Sequence, residues 1–259
     1  MIKLGSSETS LETSTITKVA PVTSRVSPWL APLTYALGHY LVLPLYFGRI
    51  EISGQENLPT TGPVILAPTH RAWWDSILVA YATGRLVTGR DLRFMVSLNE
   101  INKGIQGWII RRLGGFPIDP ERPAIAPLRH GVELLKQGEM LVIFPEGNYF
   151  RDGFLHPLKP GLARIAFSAE SSHPGLGVKI VPIAIRYSQA FPRWGCDVTV
   201  RIGSPLQVAD YSTGSSVKQN AKQLTTTLET ALKQLSGQQL ATSETPVASS
   251  QRSELKIPS

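Results

Sequence analysis

Short apolar runs alternate with amphipathic stretches through the middle of the chain. Six of the runs have the length and residue types of strands, and we assign them to Arg49–Ser53, Val64–Ala67, Leu92–Ser97, Met140–Phe144, Val178–Tyr187 and Asp197–Gly203. Between them, apolar residues recur at helical spacing, as at Leu128, Val132 and Leu135. This alternation predicts an α/β domain with a mixed, mostly parallel sheet covered by helices. The last two strands are too close in sequence for a crossover helix, so we expect them to pair antiparallel.

The same pattern divides the chain into four parts. Residues 1–27 are rich in serine and threonine, and residues 236–259 are polar without periodicity, so we predict disordered tails at both ends. Residues 28–48 are strongly apolar and form a separate helical segment. Residues 49–235 form the α/β domain.

The apolar segment 28–48 has the composition of a membrane-associated helix. Its nineteen residues from Trp29 to Phe47 include no charged side chain unless His39 is protonated, and about twenty apolar residues are needed to cross a bilayer. Prolines weaken a straight spanning helix, whereas the tyrosines and Trp29 favour headgroup depth. We therefore predict a helix or helix pair that lies in one leaflet. The alternative is a core helix of the α/β domain.

Composition adds a basic character and limits the covalent chemistry. Lys and Arg number 26 against 19 Asp and Glu, which gives a net charge of +7 over 259 residues. Such a charge suits anionic lipid or nucleic acid, but the chain has no recognisable nucleic-acid-binding module or Lys/Arg block. The single cysteine, Cys196, excludes an intramolecular disulfide framework and a zinc site built on several cysteines.

Chemistry-bearing residues follow two of the predicted strands. His70 and Asp75 come directly after Val64–Ala67, five positions apart. On one regular helix they would point about 140° apart, so a cooperating pair needs His70 in a loop and Asp75 in the first turn of a helix. A histidine held by a carboxylate can serve as a general base toward a hydroxyl. Alternatively, Asp75 only caps its helix and His70 is a polar loop residue.

A second group follows the strand Met140–Phe144. There, Glu146 and Gly147 form a turn at the carboxyl end of the strand, where open α/β sheets place ligand sites. Gly147 permits close approach of the backbone, and Arg151 can hold an anion. Taken alone, this is a turn with one carboxylate.

Four sequence blocks in this order resemble the glycerolipid acyltransferase family, which includes bacterial 1-acyl-sn-glycerol-3-phosphate acyltransferases. The blocks are HRAWWD at His70–Asp75, GGFPID at Gly114–Asp119, FPEG at Phe144–Gly147 and VPIAI at Val181–Ile185. The resemblance spans about residues 50 to 190 and makes residues 49–235 an acyltransferase domain.

The resemblance implies an activity and a role for each block. His70 would remove the proton from the sn-2 hydroxyl of 1-acylglycerol 3-phosphate, which attacks the thioester of acyl-CoA or acyl-acyl carrier protein to form phosphatidic acid. Asp75 would orient His70. The second and third blocks would hold the glycerol phosphate, and the fourth would contribute to the acyl site. The residues implied for the acceptor are Gly115, Phe116, Asp119, Glu146 and Gly147, and those for the acyl chain are Val181 and Pro182.

The resemblance also implies where the protein acts. An acyl chain and a lysolipid are both membrane-soluble, so we expect a monotopic or peripheral protein on the cytoplasmic face of a membrane. Apart from the acyl donor we expect no cofactor, no metal and no nucleic-acid partner.

Three cations usual in this family are displaced or missing. Tyr149 stands where many members carry arginine, Asp119 is not followed by arginine, and the lysine-rich stretch after the strand near residue 95 is absent. A phosphate monoester is best held by arginine or lysine, and Arg122, Arg151 and Lys159 are the candidates to replace them. Otherwise the acceptor is a lysophospholipid diester or another lipid alcohol, or the chain is a non-catalytic lipid-binding protein on the same fold.

Overall fold

The computed structural model describes residues 22–119, 121, 124–212 and 216–238. The strands are β1 (Ile50–Ser53), β2 (Val64–Pro68), β3 (Leu92–Ser97), β4 (Gly115–Ile118), β5 (Met140–Val142), β6 (Lys179–Tyr187), β7 (Val198–Ile202) and β8 (Leu206–Gln207). The helices are α1 (Leu30–Leu37), α2 (Leu43–Tyr46), α3 (Asp75–Thr83), α4 (Arg85–Thr88), α5 (Leu98–Ile101), α6 (Gly104–Arg112), α7 (Ile125–Lys136), α8 (Gly161–Ser172) and α9 (Val217–Leu235).

The strands form one sheet in the order β1-β7-β6-β2-β5-β3-β4, with β8 paired to β6. All neighbours run parallel except β6 with β7 and β6 with β8, which are antiparallel. The predicted mixed, mostly parallel sheet and the predicted antiparallel pair are both confirmed. Parallel neighbours require crossover connections, and most of the helices lie in those connections.

Strand β2 is central and buried on both faces, as expected for a parallel strand covered by helices on each side. Val64 and Leu66 face a core layer that includes residues of α2 and α3. Ile65 and Ala67 face the opposite layer, which is built with α7, α8 and α9. This alternation follows from the two-residue period of a strand, and it places the end of β2 in the middle of the molecule.

The strand β4 was not predicted from the sequence. Its residues Gly115–Ile118 include a glycine and a proline, both of which are depleted in strands. In the described part of the chain it pairs only with β3, so it lies at the edge of the sheet. Proline is tolerated in an edge strand.

The apolar segment 28–48 forms consecutive helical turns. Helix α1 continues through a π-helical turn at Gly38–Val42 into α2. Pro44 lies just after the π-helical turn, where its missing backbone N–H removes one hydrogen bond of the regular helix. Leu43 and Phe47 are buried against the core, whereas the opposite side of the helix is exposed. No helix in the described part of the chain combines the length and apolarity needed to cross a membrane.

The predicted N-terminal tail, residues 1–27, includes residues that are folded against the domain. Residues 22–27 belong to the folded body, because Val26 forms a β-bridge with Leu113 and the Ser27 amide donates to the carbonyl of Arg112 at 2.8 Å. The apolar side chains in this stretch interrupt the polar composition on which the prediction depended. The rest of the predicted tail lies outside the described residues.

The predicted C-terminal tail likewise begins too early. Ser236 is buried, and its carbonyl accepts a hydrogen bond from Arg186 on β6 at 3.0 Å. Gln238 accepts a hydrogen bond from the Leu155 amide. Residues 236–238 therefore belong to the folded domain, and their contacts attach the end of α9 to β6 and to the segment at Leu155. The remainder of the tail lies outside the described residues.

Candidate active site

Two loops that carry the predicted chemistry meet at the carboxyl edge of the sheet. Strands β2 and β5 are parallel neighbours, so the segments that follow them emerge side by side. The amide of Phe150, after β5, donates to the carbonyl of His70, after β2, at 3.0 Å. Both groups of candidate residues therefore lie at this edge of the sheet, as predicted from the sequence.

His70 and Asp75 form the predicted pair. His70 lies in the loop after β2, and Asp75 is the first residue of α3. The distance between His70 Nδ1 and Asp75 Oδ2 is 2.8 Å. A carboxylate only accepts hydrogen bonds, so Nδ1 carries the proton and Nε2 is the nitrogen that can accept one. The imidazole is 18% exposed, whereas the carboxylate is fully buried.

Further donors fix the Asp75 carboxylate. Its Oδ2 also accepts hydrogen bonds from the backbone amides of Arg71 and Ala72. Its Oδ1 accepts a hydrogen bond from the hydroxyl of Tyr187 at 2.6 Å. The carboxylate therefore holds His70 and the loop before the helix at once. The alternative that Asp75 only caps its helix is wrong, because Trp74 is the N-cap residue and the amides that donate to Asp75 precede the helix.

Tyr187 is a site residue that the sequence did not indicate. It ends β6, the neighbour of β2 on the side opposite β5. Burial, together with the adjacent Asp75 carboxylate, raises the pKa of the Tyr187 hydroxyl far above its usual value. The hydroxyl thus remains a donor to Asp75 at every pH at which a histidine base can act. Its position could be inferred only from the strand order, because 112 residues separate it from Asp75.

We expect Tyr187→Phe to lower kcat about tenfold with little change in KM. The substitution removes one hydrogen bond to a buried carboxylate, a loss of about 1.5–3 kcal/mol, while the remaining donors to Asp75 persist. Steady-state kinetics on the purified protein measure the effect. Tyr211→Phe, on the opposite face of the sheet, is the matched control, and equal kinetics for the two variants would contradict the role of Tyr187.

Glu146 lies beneath the candidate base, and its side chain is fully buried. Its oxygens accept hydrogen bonds from Arg71 Nη1 at 2.9 and 3.1 Å and from the amides of His70 and His156, both at 2.9 Å. Both oxygens are thus engaged by the protein, and a contact of Glu146 with the acceptor stays a prediction. It joins the loop after β2 to the turn after β5. Its partner Arg71 was not predicted as a site residue.

Gly147 and Lys159 are brought together as neighbours of Glu146. Gly147 has a φ of +73°, and a Cβ there would lie 2.6 Å from the Lys159 side chain. The Lys159 amide donates to the Pro145 carbonyl at 2.8 Å. The close approach predicted at Gly147 is therefore made by the stem of Lys159.

A cleft opens beside the loop that follows His70, and Arg151 lines it. The lining residues are Ala72, Trp73, Trp74, Tyr149, Arg151, Phe191 and Pro192. The guanidinium of Arg151 lies 5.2 Å from the ring centre of Tyr149 and 4.8 Å from that of Phe191. The Tyr149 ring, in turn, lies edge-on to the His70 ring at 5.6 Å. Arg151 is thus held by aromatic contacts in the cleft next to the candidate base.

The second sequence block lies apart from this cleft. Strand β4 is three positions from β2 in the sheet, which corresponds to about 14 Å at the usual strand spacing. Gly115 and Phe116 are buried, and Phe116 packs in the core layer on the side of α7. Neither residue lines the cleft, and their role in acceptor binding stays a prediction. Asp119 follows β4, and Arg122 lies outside the described residues.

The predicted acyl-site residues lie within the sheet. Val181 pairs with Leu66 of β2 and Pro182 with Ala67, and both are buried in the middle of β6. They pair with the strand that precedes His70 and do not line the cleft, and their role at the acyl site stays a prediction. Apolar character alone could not distinguish a binding wall from a central strand.

Comparison with known proteins assigns the family. A model of the acyltransferase family matches residues 49–186 of this chain. The chain belongs to that family. Its acyltransferase domain is similar to the 1-acyl-sn-glycerol-3-phosphate acyltransferase of Streptococcus pneumoniae, with 30% identity over 151 residues that cover 56% of this chain and 51% of that protein. The match thus spans about half the length of that relative.

Two further matches cover more of the chain. The 1-acyl-sn-glycerol-3-phosphate acyltransferase of Bacillus subtilis is 26% identical over 194 residues, which cover 73% of this chain and 88% of that protein. The crystal structure of the 1-acyl-sn-glycerophosphate acyltransferase PlsC of Thermotoga maritima matches with a TM-score of 0.54 and 23% identity, covering 76% of this chain and 75% of that one. The structural likeness shows a shared fold.

Proposed function

We propose that the protein transfers a fatty acyl group from acyl-CoA or acyl-acyl carrier protein to the sn-2 hydroxyl of 1-acylglycerol 3-phosphate, forming phosphatidic acid. The observation that carries this proposal is the His70–Asp75 pair, with a Nδ1 to Oδ2 distance of 2.8 Å, beside a cleft that contains Arg151. The names of the Streptococcus pneumoniae and Bacillus subtilis relatives support the same reaction.

The reaction needs one proton carrier. His70 Nε2 accepts the proton of the acceptor hydroxyl as its oxygen attacks the thioester carbonyl carbon. Asp75 stabilises the imidazolium that forms, because its buried carboxylate lies on the other ring nitrogen. When the tetrahedral intermediate collapses, the carbon–sulfur bond breaks and the thiolate takes the proton from Nε2. The products are an ester and a free thiol, and His70 returns to its starting state.

Arg151 is the residue that we propose to bind the acceptor phosphate. The rings of Tyr149 and Phe191 hold the guanidinium without using its N–H groups, which can then donate to two phosphate oxygens. Many family members carry an arginine at the position of Tyr149, and here the arginine comes two positions later. The Tyr149 ring contacts both the Arg151 guanidinium and the His70 ring. Arg151 would contribute less to the binding of an acceptor with a choline, glycerol or sugar headgroup.

We also propose that the protein works on the cytoplasmic surface of a membrane, with the N-terminal helix in one leaflet. The exposed side of that helix is large and apolar, and its members repeat at helical spacing: Trp29, Leu33, Leu37, Tyr40, Leu41 and Leu45. An apolar stripe of this kind, left uncovered on a protein with a net charge of +7, is typical of a helix at a lipid interface.

An acceptor panel tests the proposed reaction. Detergent-purified protein is given palmitoyl-CoA or oleoyl-CoA and, in turn, 1-acylglycerol 3-phosphate, glycerol 3-phosphate or a lysophospholipid diester, and free thiol is measured. We expect the fastest release with 1-acylglycerol 3-phosphate. Preference for a diester would change the substrate class, and no acceptor-dependent thiol with any lysolipid would favour a non-catalytic lipid-binding protein.

We expect Arg151→Gln to raise KM for 1-acylglycerol 3-phosphate about 10- to 100-fold while kcat changes little. A hydrogen bond to a charged group contributes about 1.5–3 kcal/mol, and the phosphate keeps its distance from the reacting hydroxyl. Arg164→Gln, an exposed arginine on α8 across the sheet, is the matched control. If both variants keep the parental KM, Arg151 does not bind the phosphate.

A further inference from the structure

The loop between β6 and β7, residues 188–197, exposes two large apolar side chains, Phe191 beside Arg151 and Trp194 away from it. Phe191 is 57% exposed and Trp194 is 74% exposed. Arg193 lies between them in sequence and is also exposed. Isolated apolar residues on a surface need no explanation, but a continuous patch marks an interaction site.

The loop is fastened to the end of the N-terminal helix. The Gly195 amide donates to the Tyr46 carbonyl at 2.8 Å, and the Tyr46 hydroxyl donates to the Pro192 carbonyl at 3.2 Å. The rings of Tyr46 and Trp194 lie edge to face at 5.9 Å. Tyr46 follows Leu45, the last exposed member of the apolar stripe on the helix. The loop is therefore held beside the end of that stripe by side-chain and backbone contacts.

The other side of the loop borders the cleft that contains Arg151. Phe191 and Pro192 line the cleft together with Trp73, which is 63% exposed. The patch thus runs from the helix, across the loop, to the mouth of the site. A lipid surface fits its chemistry, because aromatic side chains favour headgroup depth and arginine pairs with anionic headgroups. An acidic carrier protein would call for a basic surface, whereas this patch is chiefly apolar.

We propose that the β6–β7 loop is a second lipid-contacting element, which inserts Trp194 into the headgroup region of an anionic leaflet. This inference rests on the proposed membrane placement of the N-terminal helix. Its consequence is that the cleft opens directly onto the leaflet, so an acyl chain enters the site without crossing water.

Trp194→Ser tests the proposal in the full-length protein, with Trp194→Phe as the conservative variant. The probes are vesicles of phosphatidylglycerol and phosphatidylethanolamine, with or without bromine on the acyl chains. We expect Trp194→Ser to bind vesicles about tenfold more weakly and Trp194→Phe to retain most of the binding, in line with the apolar area removed. The bromine-dependent quenching of wild-type fluorescence should exceed that of Trp194→Phe. Val217→Ser, an equally exposed change on α9 across the sheet, should bind like wild type.

Kinetics separate this inference from the proposed reaction. Trp194→Ser should raise KM for acceptor embedded in vesicles about tenfold and leave turnover of a water-soluble short-chain acceptor unchanged. Unaltered vesicle binding and quenching would overturn the inference, as would an equal loss of activity with both acceptors or a change confined to an acyl-acyl carrier protein donor. A wild-type protein without transferase activity would refute the proposed function, and the vesicle measurements would still decide the role of the loop.

Discussion

A His70→Ala variant is expected to lose acyl transfer by about a thousandfold or more. General base catalysis contributes about 10²–10⁴-fold, and His70 is the imidazole whose Nδ1 is fixed by the buried Asp75 carboxylate. Without a base, the acceptor hydroxyl must lose its proton to water while it attacks the thioester. The measurement is thiol release from oleoyl-CoA at saturating acceptor.

The variant should remain folded and bind vesicles like the parent, because the backbone contacts of His70 do not depend on its ring. The amide of His70 would still donate to Glu146, and its carbonyl would still accept from Phe150. His173→Ala, at the end of α8, provides a control histidine away from the site. Near-parental turnover in His70→Ala would rule out the proposed mechanism.

The sequence predicted the sheet well where apolar runs were continuous. Leu92–Ser97 matches β3 at both ends, and the strand carrying the candidate base differs only by the inclusion of Pro68. Buried parallel strands leave this signal because both of their faces need apolar side chains. The edge strand at Gly115–Ile118 has no such apolar signal in its sequence. It forms because it pairs with β3, although its glycine and proline disfavour a strand.

The local part of the site was also predictable. His70 and Asp75 are five positions apart, and the break at Pro68 together with the helix after Asp75 allows only a loop-to-helix arrangement. Tyr187 and Arg71 were not predictable in the same way. Tyr187 reaches Asp75 through strand order, and Arg71 looks like a solvated loop arginine until the fold buries it against Glu146.

The family pattern was more informative about which residues matter than about what they do. Glu146, Gly115 and Phe116 occur in shared blocks, and the natural inference was contact with substrate. In the structure Phe116 is fully buried in the core and Glu146 accepts from protein donors, so both also have structural roles, and their contact with substrate stays a prediction. Shared blocks mark structural contacts as well as chemical ones, and only burial and hydrogen bonding distinguish the two.

The largest expected effect on stability comes from the ion pair beneath the site. Glu146→Ala should lower the free energy of unfolding by about 3–5 kcal/mol, because it leaves the buried Arg71 guanidinium without a counter-charge. The amides of His70 and His156 also lose their acceptor. Since domains of this size are stable by only about 5–15 kcal/mol, a large part of the total stability is at stake. Denaturant unfolding in detergent measures the change.

Two comparisons show whether the pair acts as a unit. Glu146→Gln keeps the volume and one acceptor oxygen, so we expect a smaller loss of stability than in Glu146→Ala. Combining Glu146→Gln with Arg71→Met should destabilise the protein by less than the sum of the single changes, because the double variant has no unpaired buried charge. Additive losses would mean that the two side chains act independently. A subadditive result would show that Arg71 and Glu146 act as one unit. That unit connects the loop containing His70 to the turn after β5 and so fixes the position of His70.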